Sequence, residues 1–219
     1  MLVQREPEIG ADTLPDNEHP AGLGRDADDS PTHAHVGWTG FLAHRWPTAL
    51  GIAVAALTAF DLRIDAGSIS FLSALVVLMP LVYVGAAVAG RRRFAWVVLL
   101  VATTPLVLTR VLDLEINLHP AFLVAALAFL ALGAARGSSG VPLQAAGMLV
   151  FGAGMLVALY VEPVFGGVLV AAGLLGHAAW DAVHYVRNRV VTRPYAEFCA
   201  VLDLLVGAAV LFVLFRASW

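Results

Sequence analysis

Long apolar stretches follow one another from residue 46 onward, and short breaks containing charged residues, glycine or proline separate them. A membrane-spanning helix needs about 20 predominantly apolar residues, with a range of roughly 17–25. Seven stretches approach or reach this length, so each is predicted to be a helix: residues 46–60, 69–89, 94–112, 120–135, 141–161, 164–186 and 198–215. The first and the fourth are the shortest.

The composition agrees with this pattern. Hydrophobic residues make up 60% of the 219 residues and charged residues 13%, whereas a soluble domain is roughly 45–50% apolar and about 25% charged. A soluble protein of this size could not bury so much apolar surface. The predicted fold is therefore all-α: a polytopic bundle of about seven transmembrane helices over residues 45–219, located in the cell membrane with the lipid bilayer as its partner.

Residues 1–44 have a different composition. They hold eight of the 16 acidic residues, opposed only by Arg5 and Arg25, and they are rich in proline and glycine. Such a segment buries too little apolar area to offset its ordering entropy, so we expect a disordered acidic tail. It lacks the cationic start and apolar run of a signal peptide.

The distribution of arginine predicts the orientation. All 13 basic residues are arginine. If the tail is cytoplasmic, seven crossings place ten arginines on its side and three on the other: Arg63, Arg110 and Arg216. Because positive charge is retained on the cytoplasmic side, we expect a cytoplasmic N-terminus and an external C-terminus.

Several function classes are excluded by composition. Without lysine the chain has neither a Schiff-base amine nor a Walker-A phosphate loop. The single cysteine, Cys199, cannot form an intrachain disulfide or a cysteine-rich metal site. The net charge of −3, without a long basic run, gives no indication of nucleic-acid binding.

Ionisable residues at membrane depth cost a few kcal/mol each, so they indicate function. His177, Asp181 and His184 share one face of the sixth helix, since Asp181 lies about 40° and His184 about 20° from His177 at 100° per residue. The seventh helix returns antiparallel and brings Asp203 to about the depth of Asp181. Two further groups on that helix are peripheral candidates: Cys199, on the face of Asp203, and Glu197, which points elsewhere.

Imidazole and carboxylate ligands suit zinc or iron. The favoured function is a metal-dependent membrane enzyme acting on a lipid or isoprenoid substrate from the cytoplasmic half. Its metal ligands or acid–base groups would be His177, Asp181, His184 and Asp203. The two histidines lie about 10.5 Å apart along the axis, so we do not expect both on one ion. Asp181 would then bridge two ions, or one histidine would orient a carboxylate.

Two alternatives remain open at this stage: a small transporter or channel that uses the same residues as a proton or ion relay, and a scaffold in which they only join helices. A second polar group lies at the opposite helix ends and is interpreted as solvated loops, or as the outer mouth of a transporter: Asp61, Arg63, Asp65, Arg110, Asp113, Glu115, His119 and Glu162. The loop at residues 187–195 carries three arginines that suit a lipid phosphate.

The pattern His-x3-Asp-x2-His followed by Cys-x3-Asp resembles a family of small bacterial integral-membrane proteins of unknown function. The residues that carry the resemblance lie in the last two helices: His177, Trp180, Asp181, His184, Cys199 and Asp203. The family has a second histidine after the last one, where this chain has Tyr185. The resemblance supports a site at these residues and implies no particular reaction.

Overall fold

The computed structural model describes residues 45–60 and 62–217. The predicted tail at residues 1–44, Asp61 and residues 218–219 lie outside this range. The described residues form seven helices and no strand: α1 (Trp46–Phe60), α2 (Ala66–Ala89), α3 (Phe94–Val111), α4 (His119–Ala135), α5 (Val141–Tyr160), α6 (Pro163–Arg187) and α7 (Arg193–Ala217). The all-helical prediction is thus confirmed for this part of the chain.

Five of these helices are long and apolar enough to cross a membrane: α2, α3, α5, α6 and α7. The other two, α1 with 15 residues and α4 with 17, are shorter apolar helices. They correspond to the two shortest stretches in the sequence.

The helix boundaries follow from local hydrogen bonding. α2 begins three residues before the predicted start because the Asp65 side chain accepts a hydrogen bond from the Ser68 N–H at 2.7 Å and caps the helix. It ends at Gly90, whose φ of 63° is the left-handed conformation that glycine adopts readily. The predicted start of α7 at 198 was too late, since the helix begins at Arg193 and the Thr192 carbonyl accepts from the Ala196 N–H at 3.0 Å.

α2 is the central helix of the bundle. It contacts α3, α4, α5 and α6, and 83% of its most apolar 18 residues are buried, against 17–39% for the other four long helices. α6 and α7 form the most extensive helix pair, and α1 packs along α7.

Glycines permit the close helix contacts. A Cβ atom added at Gly166 would lie 2.8 Å from the Ala158 carbonyl oxygen, and one at Gly207 would lie 3.0 Å from Leu175 Cγ. Gly152 and Gly154, by contrast, face open space. Small residues let helix backbones approach closely, so Gly166 and Gly207 are among the glycines that let α6 pack against α5 and α7.

Short loops reverse the chain after each helix, which collects eight arginines at one end of the bundle. We call it the arginine end: Arg45, Arg91, Arg92, Arg93, Arg136, Arg187, Arg189 and Arg193. The α6–α7 loop at this end is only five residues long, 188–192. Two of its non-glycine residues have positive φ, Asn188 at 48° and Val190 at 68°, and Val191 between the helices is buried.

Candidate metal centre

The predicted face of α6 points into the bundle. His177, Asp181 and His184 are all buried on this helix, at spacings of four and three residues that align them on one side. Asp203 lies opposite them on α7, and its side chain is also buried. Four ionisable side chains are thus withdrawn from the surface at the interface of the two helices.

Three of the four converge. His177 Nδ1 lies 3.1 Å from Asp181 Oδ2 and 2.9 Å from Asp203 Oδ2, and one ligand atom from each residue lies within 4.8 Å of the others. All three side chains have 0% exposure. We call this group the His/Asp triad. It is the group within the described part of the chain whose spacing fits a metal ion.

Asp203 on α7 lies beside two residues of α6. Ligand atoms of its carboxylate and of the Asp181 carboxylate lie within 4.8 Å of each other, and Asp203 Oδ2 lies 2.9 Å from His177 Nδ1. Because α7 begins at Arg193, Asp203 sits ten residues inside the helix. His177 Nδ1 contacts both carboxylates.

His184 lies beside the triad and contacts other residues. Its Nδ1 lies 2.9 Å from the Trp180 carbonyl oxygen, so this nitrogen donates, and its Nε2 lies 3.3 Å from the Gln144 amide nitrogen. Nε2 then accepts from that amide. Both ring nitrogens of His184 contact residues outside the triad, so His184 lies next to the triad and is not one of its members. This agrees with the distance of about 10.5 Å expected between the two histidines along the helix.

Tyr83 on α2 completes the contacts of Asp181. Its hydroxyl donates a hydrogen bond to Asp181 Oδ1, and its ring makes edge contacts with His177 and His184, at centroid distances of 5.7 Å and 4.7 Å. Sequence reasoning missed Tyr83. The available signal was a tyrosine near the end of an otherwise apolar helix, which needs a partner for its hydroxyl when buried.

The two peripheral candidates, Glu197 and Cys199, are not part of the group of converging ligand atoms. The Glu197 carboxylate accepts a hydrogen bond from Thr48 and forms an ion pair with Arg45 at 3.5 Å, which joins α7 to α1. Cys199 is buried and free. Neither belongs to the group whose ligand atoms converge.

The second polar group lies at the other end of the bundle. Asp113, Glu115 and His119 line a cavity between the ends of α2 and α3, and Arg110 lines it too. Asp65 caps α2 and Glu162 caps α6 through its contact with the Val164 N–H at 3.1 Å. The six residues of this group named here therefore have two distinct settings, helix caps and cavity walls.

Comparison of the chain with models of known protein families, with curated proteins and with solved structures finds no match.

Proposed function

We propose that the protein is a multi-pass membrane protein whose His/Asp triad binds zinc or iron and serves an enzyme acting on a lipid or isoprenoid substrate. One observation carries this proposal: an imidazole and two carboxylates, from two helices, offer ligand atoms within 4.8 Å of one another at a site without solvent exposure.

The distances in the triad suit a metal. Zinc binds imidazole nitrogen at about 2.0–2.1 Å and carboxylate oxygen at about 2.0–2.2 Å, which puts tetrahedral ligand atoms about 3.4 Å apart. The contacts of 3.1 Å and 2.9 Å around His177 Nδ1 are slightly shorter. Small side-chain movements would suffice to seat an ion. Iron takes the same kinds of ligand.

Charge favours a metal over an ion pair within the triad. Buried carboxylates are costly unless their charge is compensated. A protonated His177 balances only one of the two carboxylates, Asp181 and Asp203, if both are ionised. A divalent ion with a neutral imidazole and two carboxylates sums to zero charge, so it makes the complete burial of this group favourable.

The surroundings support chemistry on an amphiphile. Three protein ligands leave a coordination position for water or substrate, and a bound zinc or iron would supply Lewis-acid polarisation there. Tyr83 holds Asp181 by its other oxygen, so that Oδ2 faces His177. One turn after His184, the arginines of the arginine end begin, and their guanidinium groups suit a lipid phosphate.

The metal content of the purified full-length chain tests the centre. We expect about one zinc or iron per chain by inductively coupled plasma mass spectrometry, and less than about a tenth of that in Asp181→Asn and in Asp203→Asn, because each loses an anionic ligand. Glu197→Gln is the matched control, a carboxylate on α7 outside the triad, and should retain the metal. A wild-type protein that stays metal-free after loading with zinc or ferrous iron would overturn the centre.

A separate experiment tests the enzyme. Wild-type protein and Asp181→Asn are reconstituted into bilayers containing phospholipids and an isoprenyl phosphate, and lipid products are followed by mass spectrometry. We expect product only with the metal-loaded wild type. Unchanged lipids in both samples, with metal bound, would contradict the enzyme and leave the metal centre standing.

A second candidate function, a proton or ion relay, is supported by further buried polar atoms. Ser73 Oγ on α2 and Gln144 Oε1 on α5 are buried and, like His177 Nε2, have no hydrogen-bond partner within the described residues. Such atoms are costly unless water or a carried ion satisfies them. In proteoliposomes with a pH-sensitive dye, a relay predicts proton flux that is lost in His177→Ala and unaffected by chelators. The enzyme predicts no flux.

We also propose that all seven helices cross the membrane, with the arginine end in the cytoplasm and the C-terminus outside. The eight arginines at that end support it, since positive charge stays inside. Reporter fusions before Arg45 and after Trp219 should report opposite sides. Both reporters on one side would contradict seven crossings.

A further inference from the structure

The ring contacts of the described residues form one connected network around the triad. It includes rings from six of the seven helices, and among the described residues every pair of rings in contact belongs to it: Trp46, Tyr83, Trp96, Phe151, His177, Trp180, His184, Tyr195 and Phe198. All three tryptophans of the described part are members. Tryptophan and tyrosine lose an electron more readily than phenylalanine does, so the triad is surrounded by oxidisable rings.

One branch of this network runs from the surface to the triad. Trp46 at the start of α1 is 46% exposed, and its ring centroid lies 5.7 Å from that of Trp96 on α3. The Trp96 centroid lies 5.2 Å from that of Tyr195 on α7, which lies 6.1 Å from that of Tyr83 on α2. Rings with centroids about 4.5–7 Å apart are packed against each other. An electron can therefore pass from ring to ring along this branch without crossing a gap.

The two tyrosines of this branch differ in their proton acceptors. A phenol that loses an electron also releases its proton, so an acceptor must already contact its hydroxyl. The Tyr83 hydroxyl donates a hydrogen bond to Asp181 Oδ1, and a carboxylate can take the proton. The Tyr195 hydroxyl is buried and has no hydrogen-bond partner among the residues that the structure describes. Tyr83 is therefore the position at which an oxidised tyrosine is stabilised, and Tyr195 contributes only a bridging ring.

We propose that Tyr83 is a redox-active tyrosine connected to the arginine end of the bundle through three further rings, those of Tyr195, Trp96 and Trp46. A one-electron oxidant at that surface takes an electron from Trp46. An electron from Tyr83 replaces it through the intervening rings, and the phenolic proton moves to Asp181. The products are the reduced oxidant, a protonated Asp181 and a neutral tyrosyl radical at Tyr83. This activity needs no metal and is independent of the proposed function.

The test is one-electron photo-oxidation of the purified full-length protein in detergent, followed by electron paramagnetic resonance. A ruthenium(II) tris-bipyridine complex is excited by light, a cobalt(III) ammine takes its electron irreversibly, and the resulting ruthenium(III) oxidises the protein. Treatment with a chelator beforehand makes the result independent of a metal in the triad. We expect a neutral tyrosyl radical.

Four changes in the starting protein remove competing sites of oxidation. Tyr160→Phe and Tyr185→Phe remove the two exposed tyrosines. Trp38→Phe and Trp219→Phe remove the two tryptophans outside the described residues. The tyrosines that remain are Tyr83 and Tyr195, so the tyrosyl signal can be assigned by single changes.

Further variants of this protein locate the radical and its path. Tyr83→Phe should abolish the tyrosyl signal, although Tyr195 is still present. Trp46→Phe and Trp96→Phe should each remove most of the signal, because phenylalanine is not oxidised by ruthenium(III). Tyr195→Phe keeps the bridging ring and should retain the signal.

Trp180→Phe is the matched control, a tryptophan of the same network that lies outside this branch, and it should leave the tyrosyl signal unchanged. A signal that persists in Tyr83→Phe, or one that is lost in Trp180→Phe and kept in Trp46→Phe, would refute the proposal, as would the absence of a tyrosyl radical in the starting protein. The thermal midpoint of each variant reports its folding. Trp46→Phe, a change at a partly exposed ring, still tests the path where a buried variant does not fold.

Discussion

Two successive helices, α2 and α3, are both apolar enough to cross a membrane, yet they have opposite surroundings. In α2, 83% of the most apolar 18 residues are buried, whereas in α3 the figure is 17%. Apolar sequence therefore identifies a helix suited to lipid, and it does not distinguish a helix that faces lipid from one that faces protein.

The hydrogen bonds of the polar side chains distinguish α2 from α3. The Thr103 and Thr104 hydroxyls on α3 donate to carbonyls of their own helix, Leu99 at 2.7 Å and Leu100 at 2.6 Å. A lipid-facing helix must satisfy its polar groups internally. On α2, Tyr83 instead donates to Asp181 on another helix. Of the two helices, α2 is thus the one whose tyrosine forms a hydrogen bond to another helix, and that bond reaches Asp181 of the His/Asp triad.

The largest expected difference between the two helices is in packing. Leu78→Ala on α2 removes a side chain that is 1% exposed, so it should lower the free energy of unfolding by about 2–5 kcal/mol through the cavity it leaves. Leu100→Ala on α3, at 63% exposed, should change it by about 0.5 kcal/mol or less. Unfolding of the purified protein in mixed micelles measures both. Equal losses would contradict the difference in burial between α2 and α3.

A smaller effect is expected at the α2 hydrogen bond. Tyr83→Phe keeps the ring contacts with the histidines and leaves Asp181 Oδ1 without its donor, which should cost about 1–3 kcal/mol in unfolding free energy. Tyr160→Phe, at a tyrosine that is 87% exposed, is the matched control and should be neutral. A neutral Tyr83→Phe would show that the hydroxyl is dispensable.

Substitutions at the N-cap positions of α2 and α3 should differ less in their effect on stability than the core substitutions do. Asp65→Ala removes the side-chain cap of α2 and should cost about 1 kcal/mol. Arg93 at the start of α3 makes no side-chain cap bond, so Arg93→Ala should leave the thermal midpoint unchanged. A shift of equal size in both variants would contradict a specific capping role for Asp65.

The smallest effect is pH-dependent. The hydrogen bond from the backbone N–H of Ser68 lowers the pKa of Asp65 below 3.8. The charged cap therefore stabilises the fold above that value, and the contribution is lost as the pH falls through the lowered pKa. The difference in stability between wild type and Asp65→Ala, measured from pH 6 to pH 2, should shrink toward acid. A constant difference would contradict a charged cap.

The sequence predicted the helices well because a run of about 20 apolar residues between short polar breaks is typical of a membrane-spanning helix, and five of the seven helices have that length and composition. It also placed His177, Asp181 and Asp203 in one region, since the helical period and a short return loop constrain them. His184 shows the limit of that reasoning. Its direction around the helix is closer to that of His177 than the direction of Asp181 is, but it lies about 10.5 Å from His177 along the axis and is therefore not part of the triad. The tyrosine itself was a signal, but the partner of Tyr83 could not be predicted, because nothing in the apolar sequence of α2 states which helices surround it.

The short loop between α6 and α7 determines how the residues of α7 align with those of α6, and so which of them face the His/Asp triad. Its five residues include a β-branched valine at a φ of 68° and a turn in which the Val191 N–H donates to the Arg189 carbonyl at 2.8 Å, so it holds no slack. A residue deleted from this loop would have to be replaced from the end of α6 or the start of α7, and each helical residue drawn out shifts α7 by about 1.5 Å and about 100° relative to α6, which turns Asp203 away from His177. Point substitutions in this loop should therefore be tolerated more readily than a deletion, although no residue of the loop belongs to the triad.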